Sequence, residues 1–385
     1  MVHIKRILDL ELPDGQSAFL WGPRQTGKST YLKQRFPDSV WFDLLRTDLF
    51  LDLNRRPAIL REALLALDEE ARRHPVVIDE VQKVPALLDE VHWLMENRGF
   101  RFILSGSSAR KLKRGKANLL GGRAWRFHLF PLTSIEVGNL DLMRVLNRGM
   151  LPRPFLQEHY ERSLNAYTRD YLKEEVFDEG LTRNVPAFSR FFESMAFSHG
   201  ELTNFANIAR DCGVDGKTVR EYYQILVDTL LGTWVPPFKH RQNRQVITKA
   251  AKFYLFDVGV AGSLIGRRIT TERGEAFGKA LEHFILMEIL AHSSYRELHY
   301  PVHFWRTKSG LEVDFVLGDG QIAIEVKGSS RVEGRDLNGS KAFAADYSPA
   351  QSIVVCNEAR PRKVGGVLLL PIREFLERLW GGGIL

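Results

Sequence analysis

Three groups of residues have the types and the spacing to do chemistry. The first is "GPRQTGKST", residues 22–30, with glycine, glycine–lysine and serine in G-x-x-x-x-G-K-S spacing. Backbone N–H groups in such a loop, and at the start of the helix it feeds, cradle phosphates. Gly22, Pro23, Arg24, Gln25, Thr26 and Gly27 would form the cradle, with Ser29 and Thr30 opening the helix. Lys28 would reach the β- and γ-phosphates of ATP, and Ser29 would bind Mg²⁺. The second group is "PVVIDE", an apolar stretch ending in Asp79 and Glu80. Asp79 is placed to hold Mg²⁺ through water, and Glu80 to orient or activate the attacking water. The third is "DFVLGDGQIAIEVKG", residues 314–328, where Asp314, Glu325 and Lys327 interrupt two apolar runs. Burying such groups is costly unless they pair or hold a metal ion.

Other polar residues cluster around the first two groups. "FRFILSGSSARKL" ends in small hydroxyls, and Ser105 and Ser107 are placed to sense a γ-phosphate from a neighbouring strand tip. Arg123 follows two glycines in "NLLGGRAWRF", a position from which it would reach the nucleotide of a neighbouring subunit. Arg110, Arg114 and Arg126 compete for that role.

These residues need a scaffold. "SAFLWG" (17–22), "VWFDL" (40–44), "PVVIDE" (75–80), "FRFILSG" (100–106) and "WRFHLFPL" (125–132) read as strands. Helical patterns such as "RPAILREALLALDEEARR" (56–73) fill the gaps. That alternation predicts a mostly parallel sheet with both faces covered. From about 155 to 240 the pattern turns helical, and beyond Pro236–Pro237 short strands and helices mix again. The expected organisation is therefore residues 1–150, 151–240 and 241–385.

With 385 residues, 44% hydrophobic and 26% charged, the composition is that of a globular protein of two or three domains. No run of about 18 apolar residues predicts a membrane span. Two cysteines give neither a disulfide framework nor a cysteine zinc site, which fits a cytoplasmic protein. The net charge of +7 favours a polyanionic partner, and eight Lys and Arg with no Asp or Glu lie between Arg101 and Arg126. "LTNFANIARDCGVDGKTVREYYQILVDTLLGTWVPPF" (202–238) reads as short helix, glycine-containing turn, second helix and the start of a wing strand. Lys217, Thr218, Arg220 and Gln224 open the second helix, where recognition helices meet bases.

In their order, these segments resemble a family of bacterial and archaeal AAA+-type ATPases with a helix-turn-helix segment and a C-terminal nuclease-like domain of the PD-(D/E)XK class. The residues carrying the resemblance include "GPRQTGKST", "VVIDEVQKVP", "ILSGSSARKL", "LLGGRAWRFHLFPLTSIE", "RDYLKEEV", "GVDGKTVREYYQILVDT", "KFYLFDVGVAGSLIG", "FGKALEHFILMEIL" and "VDFVLGDGQIAIEVKGS". The resemblance implies a P-loop AAA+-like α/β domain, a helical and winged-helix middle region, and a C-terminal α/β restriction-endonuclease-like domain.

The third group then takes on a meaning. Strand alternation puts Glu325 and Lys327 on one face, and a hairpin through "GDG" brings Asp314 near Glu325. Two carboxylates and a lysine on one face suit a divalent cation and an activated water. The resemblance adds Glu282, on the helix of "FGKALEHFILMEIL", as a further ligand, so a second Mg²⁺ or Mn²⁺ would sit on Glu282, Asp314 and Glu325. The expected protein is a Mg²⁺-dependent ATPase acting on single-stranded, duplex or branched DNA, a homo-oligomer with a hexamer as first expectation. Its C-terminal domain would cut DNA, with Lys327 stabilising charge, or grip it; a third expectation is that the three charges are only an ion-paired hairpin. The rival expectation is a signalling or scaffold NTPase that switches protein partners.

Overall fold

The computed structural model describes residues 4–108, 110, 120–171, 184–239 and 250–385. Contacts divide the chain into two compact units, one of Arg6–Phe130 with Asp228–Leu231, the other of Met1–Lys5, Pro131–Val227 and Gly232–Leu385.

The first unit is built on a parallel sheet. Its strands are β1 (Ser17–Trp21), β2 (Trp41–Asp43), β3 (Val76–Asp79), β4 (Phe102–Gly106) and β5 (Ala124–His128), in the order β2-β3-β4-β1-β5. β1, β3 and β4 are buried along their whole length, as continuous apolar strands covered on both faces should be. Phe19, Ile78, Phe102 and Leu104 share a core with Leu53 from the helix α2 (Thr47–Arg55), Leu60 and Leu64 from α3 (Ala58–Leu65) and Leu94 from α4 (Leu87–Arg98). Fully burying one such leucine or phenylalanine contributes about 1.5–3 kcal/mol. The single helix expected over 56–73 is broken. α3 stops at Leu65, and Arg72 in a following short turn donates to the carbonyls of Leu65 and Leu67 at 3.0 and 3.1 Å, satisfying groups a longer helix would have bonded itself.

Strand order positions the chemistry. β4 lies between β1, which feeds the phosphate loop, and β3, which ends in Asp79. The tip of β4 therefore reaches both motifs.

The second unit holds helices and a mixed sheet. Helices Phe205–Cys212 and Gly216–Asp228 flank a three-residue connection, Gly213 to Asp215. Asn204 caps the first, its Oδ1 accepting from the N–H groups of Ala206 and Asn207, a contact worth about 1 kcal/mol. Gly213 ends it at φ 67°, and Asp215 Oδ1 accepts from Thr218 N–H at 2.8 Å to start the second. Strands β6 (Gly232–Val235) and β7 (Lys252–Leu255) then pair antiparallel. Of the segment expected to be helical from 159 to 177, the helix Tyr160–Ala166 runs on to Tyr171 as a wider turn, and "LKEEVF" lies outside the described residues.

Strands β8 (Val302–Arg306), β9 (Glu312–Leu317), β10 (Ile322–Lys327), β11 (Gln351–Cys356), β12 (Arg362–Val364) and β13 (Val367–Pro371) form the mixed sheet, in the order β12-β13-β11-β10-β9-β8. β9 and β10 are the hairpin expected from "GDG": Leu317 pairs with Ile322 and Phe315 with Ile324, the turn passing through Gly318 and Gly320 at φ 62° and 90°. The long helix Glu275–Tyr295 buries Phe277, Leu281 and Phe284 in a core shared with Phe315, Ile324 and Leu379. Among the described residues no helix is long and apolar enough to cross a membrane.

Candidate functional site

β1 leaves the sheet at Trp21, and the loop 22–27 turns into helix α1 (Lys28–Arg35). The turn takes positive φ at two positions, Gln25 (65°) and Gly27 (93°). Gly22 is needed for a different reason: a Cβ there would stand 2.5 Å from the Leu129 carbonyl oxygen. Thr26 Oγ1 donates to the Pro23 carbonyl at 2.9 Å, closing the loop from inside. Arg6 braces it from outside, donating to the carbonyls of Thr26 and Phe130, each at 2.7 Å. The Lys28 side chain is buried and gives its ammonium to the carbonyls of Gly22 and Pro23 at 2.8 and 3.1 Å. Arg24 is half-buried and Thr30 exposed.

Asp79 stands beside the helix start. Its Oδ2 accepts from Ser29 Oγ at 2.5 Å and its Oδ1 from Ser105 Oγ. The hydroxyl and carboxylate expected to share a magnesium ion are therefore adjacent, and Ser105 orients the carboxylate from the tip of β4. These groups fit Mg²⁺: two hard oxygen donors beside a loop whose backbone suits phosphates. Glu80 is held at φ 60°, a strained conformation for a non-glycine residue that turns its carboxylate off the strand axis. Gln82 Nε2 donates to Glu80 Oε2 at 2.5 Å and to Ser107 Oγ at 3.2 Å, and Ser107 Oγ lies 3.4 Å from the same carboxylate oxygen. Ser105 and Ser107 thus contact the two acidic residues separately, one each. Gln82 and Arg6 were not singled out in the sequence. Gln82 carries a faint signal, standing two residues beyond the acidic pair, and Arg6 carries none.

Arg123 stands elsewhere. Ser17 pairs with Ala124 and Trp21 with His128, so Arg123 precedes the end of the sheet where β1 begins, whereas the phosphate loop leaves where β1 finishes. Its Nε donates to Glu96 at 2.5 Å with both side chains about half exposed. Arg110 is ion-paired with Asp228 at 3.1 Å, Arg126 is exposed on β5, and Arg114 lies outside the described residues.

Residues 14–138 match a family model described as an AAA domain. The geometry agrees with the match, because the acidic pair, the lysine and the hydroxyls converge at one end of the domain's sheet. Beyond that match, residues 139–271 and 277–375 match two families each described as a domain of unknown function, DUF8612 and DUF4143. An uncharacterized protein of Mycobacterium tuberculosis and one of Mycobacterium bovis are each 29% identical to this chain over 308 residues, covering 77% of it and 66% of their own length. The chain thus spans just under two thirds of the curated relatives it matches. Among solved structures, the Aeropyrum pernix ORC1 protein in complex with DNA is matched at 12% identity and a TM-score of 0.30, over 66% of this chain and 87% of that one, a likeness too slight to carry an argument.

The C-terminal charged group is denser than the sequence suggested. The ladder of β9 and β10 runs to the pair Phe315–Ile324, and Asp314 and Glu325 are the next residues along the two strands. Asp314 Oδ2 accepts from Val326 N–H at 2.8 Å. Glu325 Oε1 pairs with Lys327 at 2.7 Å, and its Oε2 accepts from Ser340 Oγ at 2.8 Å. Ser340 arrives because Gly339 lets its helix, Asn338–Tyr347, close on the Glu312 carbonyl, where any Cβ would collide. Glu282 does reach the cluster, where its Oε1 accepts from Tyr254 OH at 2.5 Å.

Lys252 was not anticipated. Its ammonium lies 2.8 Å from Glu312 Oε1 and 3.3 Å from Glu282 Oε1, with the side chain only 5% exposed. Burial disfavours that ammonium, but Glu282, Asp314 and Glu312 together outweigh it and hold its pKa above the ordinary lysine value. Burial, then the Glu282 charge, holds the Asp314 carboxyl well above the usual range, against the opposing pull of Lys252. Burial likewise raises Glu325, with Lys327 opposing. The structure gathers Glu282, Asp314 and Glu325, but among the described residues no three acidic, histidine or cysteine side chains group as a metal site.

Proposed function

We propose that this chain hydrolyses ATP with Mg²⁺ and couples that hydrolysis to binding and remodelling, or translocation along, DNA. The observation carrying the reading is Asp79 bridging Ser29 and Ser105 while Glu80 is held apart by Gln82 and Ser107. That arrangement separates two duties. Asp79 and Ser29 would hold Mg²⁺, which supplies charge neutralisation at the phosphate oxygens when bound with nucleotide. Glu80 accepts the proton of the attacking water, its carboxylate aimed by Gln82. Lys28 leaves the carbonyls of Gly22 and Pro23 for the β- and γ-phosphates. Ser105 and Ser107, at the tip of β4, report the state of the γ-phosphate to the acidic pair.

In this reading residues 1–150 carry the nucleotide site, 151–240 a lid and a winged helix-turn-helix, and 241–385 a restriction-endonuclease-like fold that cuts or grips DNA. The assembly is a homo-oligomer, a hexamer as first expectation, in the cytoplasm. Arg123 acts across a subunit boundary, a role supported by its place at the end of the sheet away from its own phosphate loop. Arg123→Ala then keeps ATP binding and loses turnover, and mixing it with Lys28→Ala subunits restores part of the turnover. Steady-state phosphate release at several mixing ratios reads this; no rescue at any ratio, with oligomers intact, removes the role in trans.

Support for DNA comes from the second helix of the pair, where Lys217 and Arg220 are exposed at the N-terminal end. Reversing both charges should weaken duplex binding about tenfold or more at low salt and make the slope of log K against log salt shallower by up to about 2. Fluorescence anisotropy across a salt series measures both, and unchanged affinity with unchanged slope would leave the helix pair without a DNA role. One observation favours the alternative, a nucleotide-switched signalling or scaffold NTPase that binds protein partners. Arg220 lies over the Phe205 ring at 4.9 Å, and Asp211, Asp215 and Glu221 are exposed on the same helix pair, so the surface there is mixed in sign.

A further inference from the structure

We propose that the ammonium of Lys252 is the resident cation of the C-terminal carboxylate cluster, and that this cluster takes no divalent metal ion. The inference concerns the C-terminal sheet alone and does not depend on the nucleotide site. It decides between the two roles left open for that fold, gripping DNA and cutting it.

A divalent metal site needs oxygens with lone pairs converging on one point, about 2.0–2.6 Å from it. Here each carboxylate already has at least one oxygen engaged by a protein donor or a protein cation. Glu282 Oε1 receives both the Tyr254 hydroxyl and the Lys252 ammonium. Glu312 Oε1 is ion-paired with the Lys252 ammonium at 2.8 Å, and its Oε2 lies 3.5 Å from Arg306. Glu325 has Lys327 on one oxygen and Ser340 on the other. Asp314 Oδ2 receives the Val326 N–H. Lys252 touches two of these carboxylates and is attracted by a third, Asp314. A dication arriving among the same oxygens would stand within a few ångströms of a buried positive charge, the arrangement low-dielectric surroundings penalise most.

Lys252 is also fixed in place. It belongs to β7, where it pairs with Val235, and its ammonium lies over the Phe304 ring at 5.7 Å. Tyr254, two residues on, points to the same face of the strand and meets the same Glu282. The strand therefore delivers a cation and a hydroxyl donor together to one oxygen of the helix carboxylate. With Lys252 in that position the cluster lacks a metal-activated water. Lys327, about one third exposed, stays paired with Glu325 at 2.7 Å.

The test uses the full chain, freed of nucleotide and of metal, so that its outcome does not depend on ATP hydrolysis. Mn²⁺ is titrated and its binding read from the EPR signal of free Mn²⁺. The parent and Asp314→Asn should bind equally, and neither should cleave DNA with Mn²⁺. Lys252→Met should gain an Mn²⁺ site at least tenfold tighter than anything in the parent, and Lys252→Met combined with Asp314→Asn should lose it. Parent binding or Mn²⁺-dependent DNA cleavage that disappears in Asp314→Asn overturns the proposal. So does a folded Lys252→Met with no gain. Should Lys252→Met fail to fold, Glu282→Gln in chelator takes its place. A lowered Tm is expected, because a partner of Lys252 is lost; a raised Tm, the sign of relieved carboxylate repulsion, overturns the proposal.

Discussion

Glu80→Gln should bind ATP as the parent does and hydrolyse it on the order of 10²–10⁴-fold more slowly, the range by which a positioned general base contributes. The substitution keeps side-chain size, and a glutamine carbonyl still accepts from Gln82, which now stands 2.5 Å from Glu80 Oε2. Only the negative charge and its capacity to take a proton disappear. The strained backbone at φ 60° is unaltered, so folding should not suffer. Binding is measured with a fluorescent ATP analogue and turnover by phosphate release. Parental turnover in Glu80→Gln would show that another group orients the water, and Gln82 and Ser107 would then be holding a carboxylate with no part in hydrolysis.

Lys28→Ala should lose both binding and turnover. A charge-assisted contact to phosphate contributes about 1.5–3 kcal/mol, which is roughly 10–100-fold in affinity. The same change has a structural effect, because Lys28 satisfies the carbonyls of Gly22 and Pro23 from within the loop. Leaving them without that donor should cost about 1–3 kcal/mol and lower the Tm by a few degrees. Circular dichroism separates the two effects. A folded Lys28→Ala that binds ATP with parental affinity would contradict the phosphate role.

The convergence of the 22–30 stretch with the acidic pair was legible in the sequence because each part is contiguous. A run of nine residues and an apolar stretch closed by two acids each carry their chemistry locally, and the fold need only bring two strand tips together. Gln25 shows where that reading thins: a positive φ falls on it, so glycine content does not by itself tell which residues the turn strains. Arg6 was out of reach, since its contacts are to the backbone oxygens of Thr26 and Phe130, which have no sequence signature. The C-terminal hairpin was half legible. Its register followed from the turn, and Glu312 stands two residues before Asp314 on the same strand face, so alternation alone would have added it. Lys252 was invisible because its meaning comes from a strand brought against the hairpin by tertiary structure, and an isolated "KFYL" reads only as a strand.

The central claim is that Mg²⁺-dependent hydrolysis at Asp79 and Glu80 is coupled to DNA. The most direct measurement is steady-state phosphate release by the full chain with Mg²⁺ and ATP, with and without single-stranded, duplex and branched DNA. The account predicts a basal rate that chelator abolishes and that at least one DNA form raises severalfold, the rise being absent in Glu80→Gln. A Mg²⁺-dependent rate left unchanged by every DNA form would contradict it.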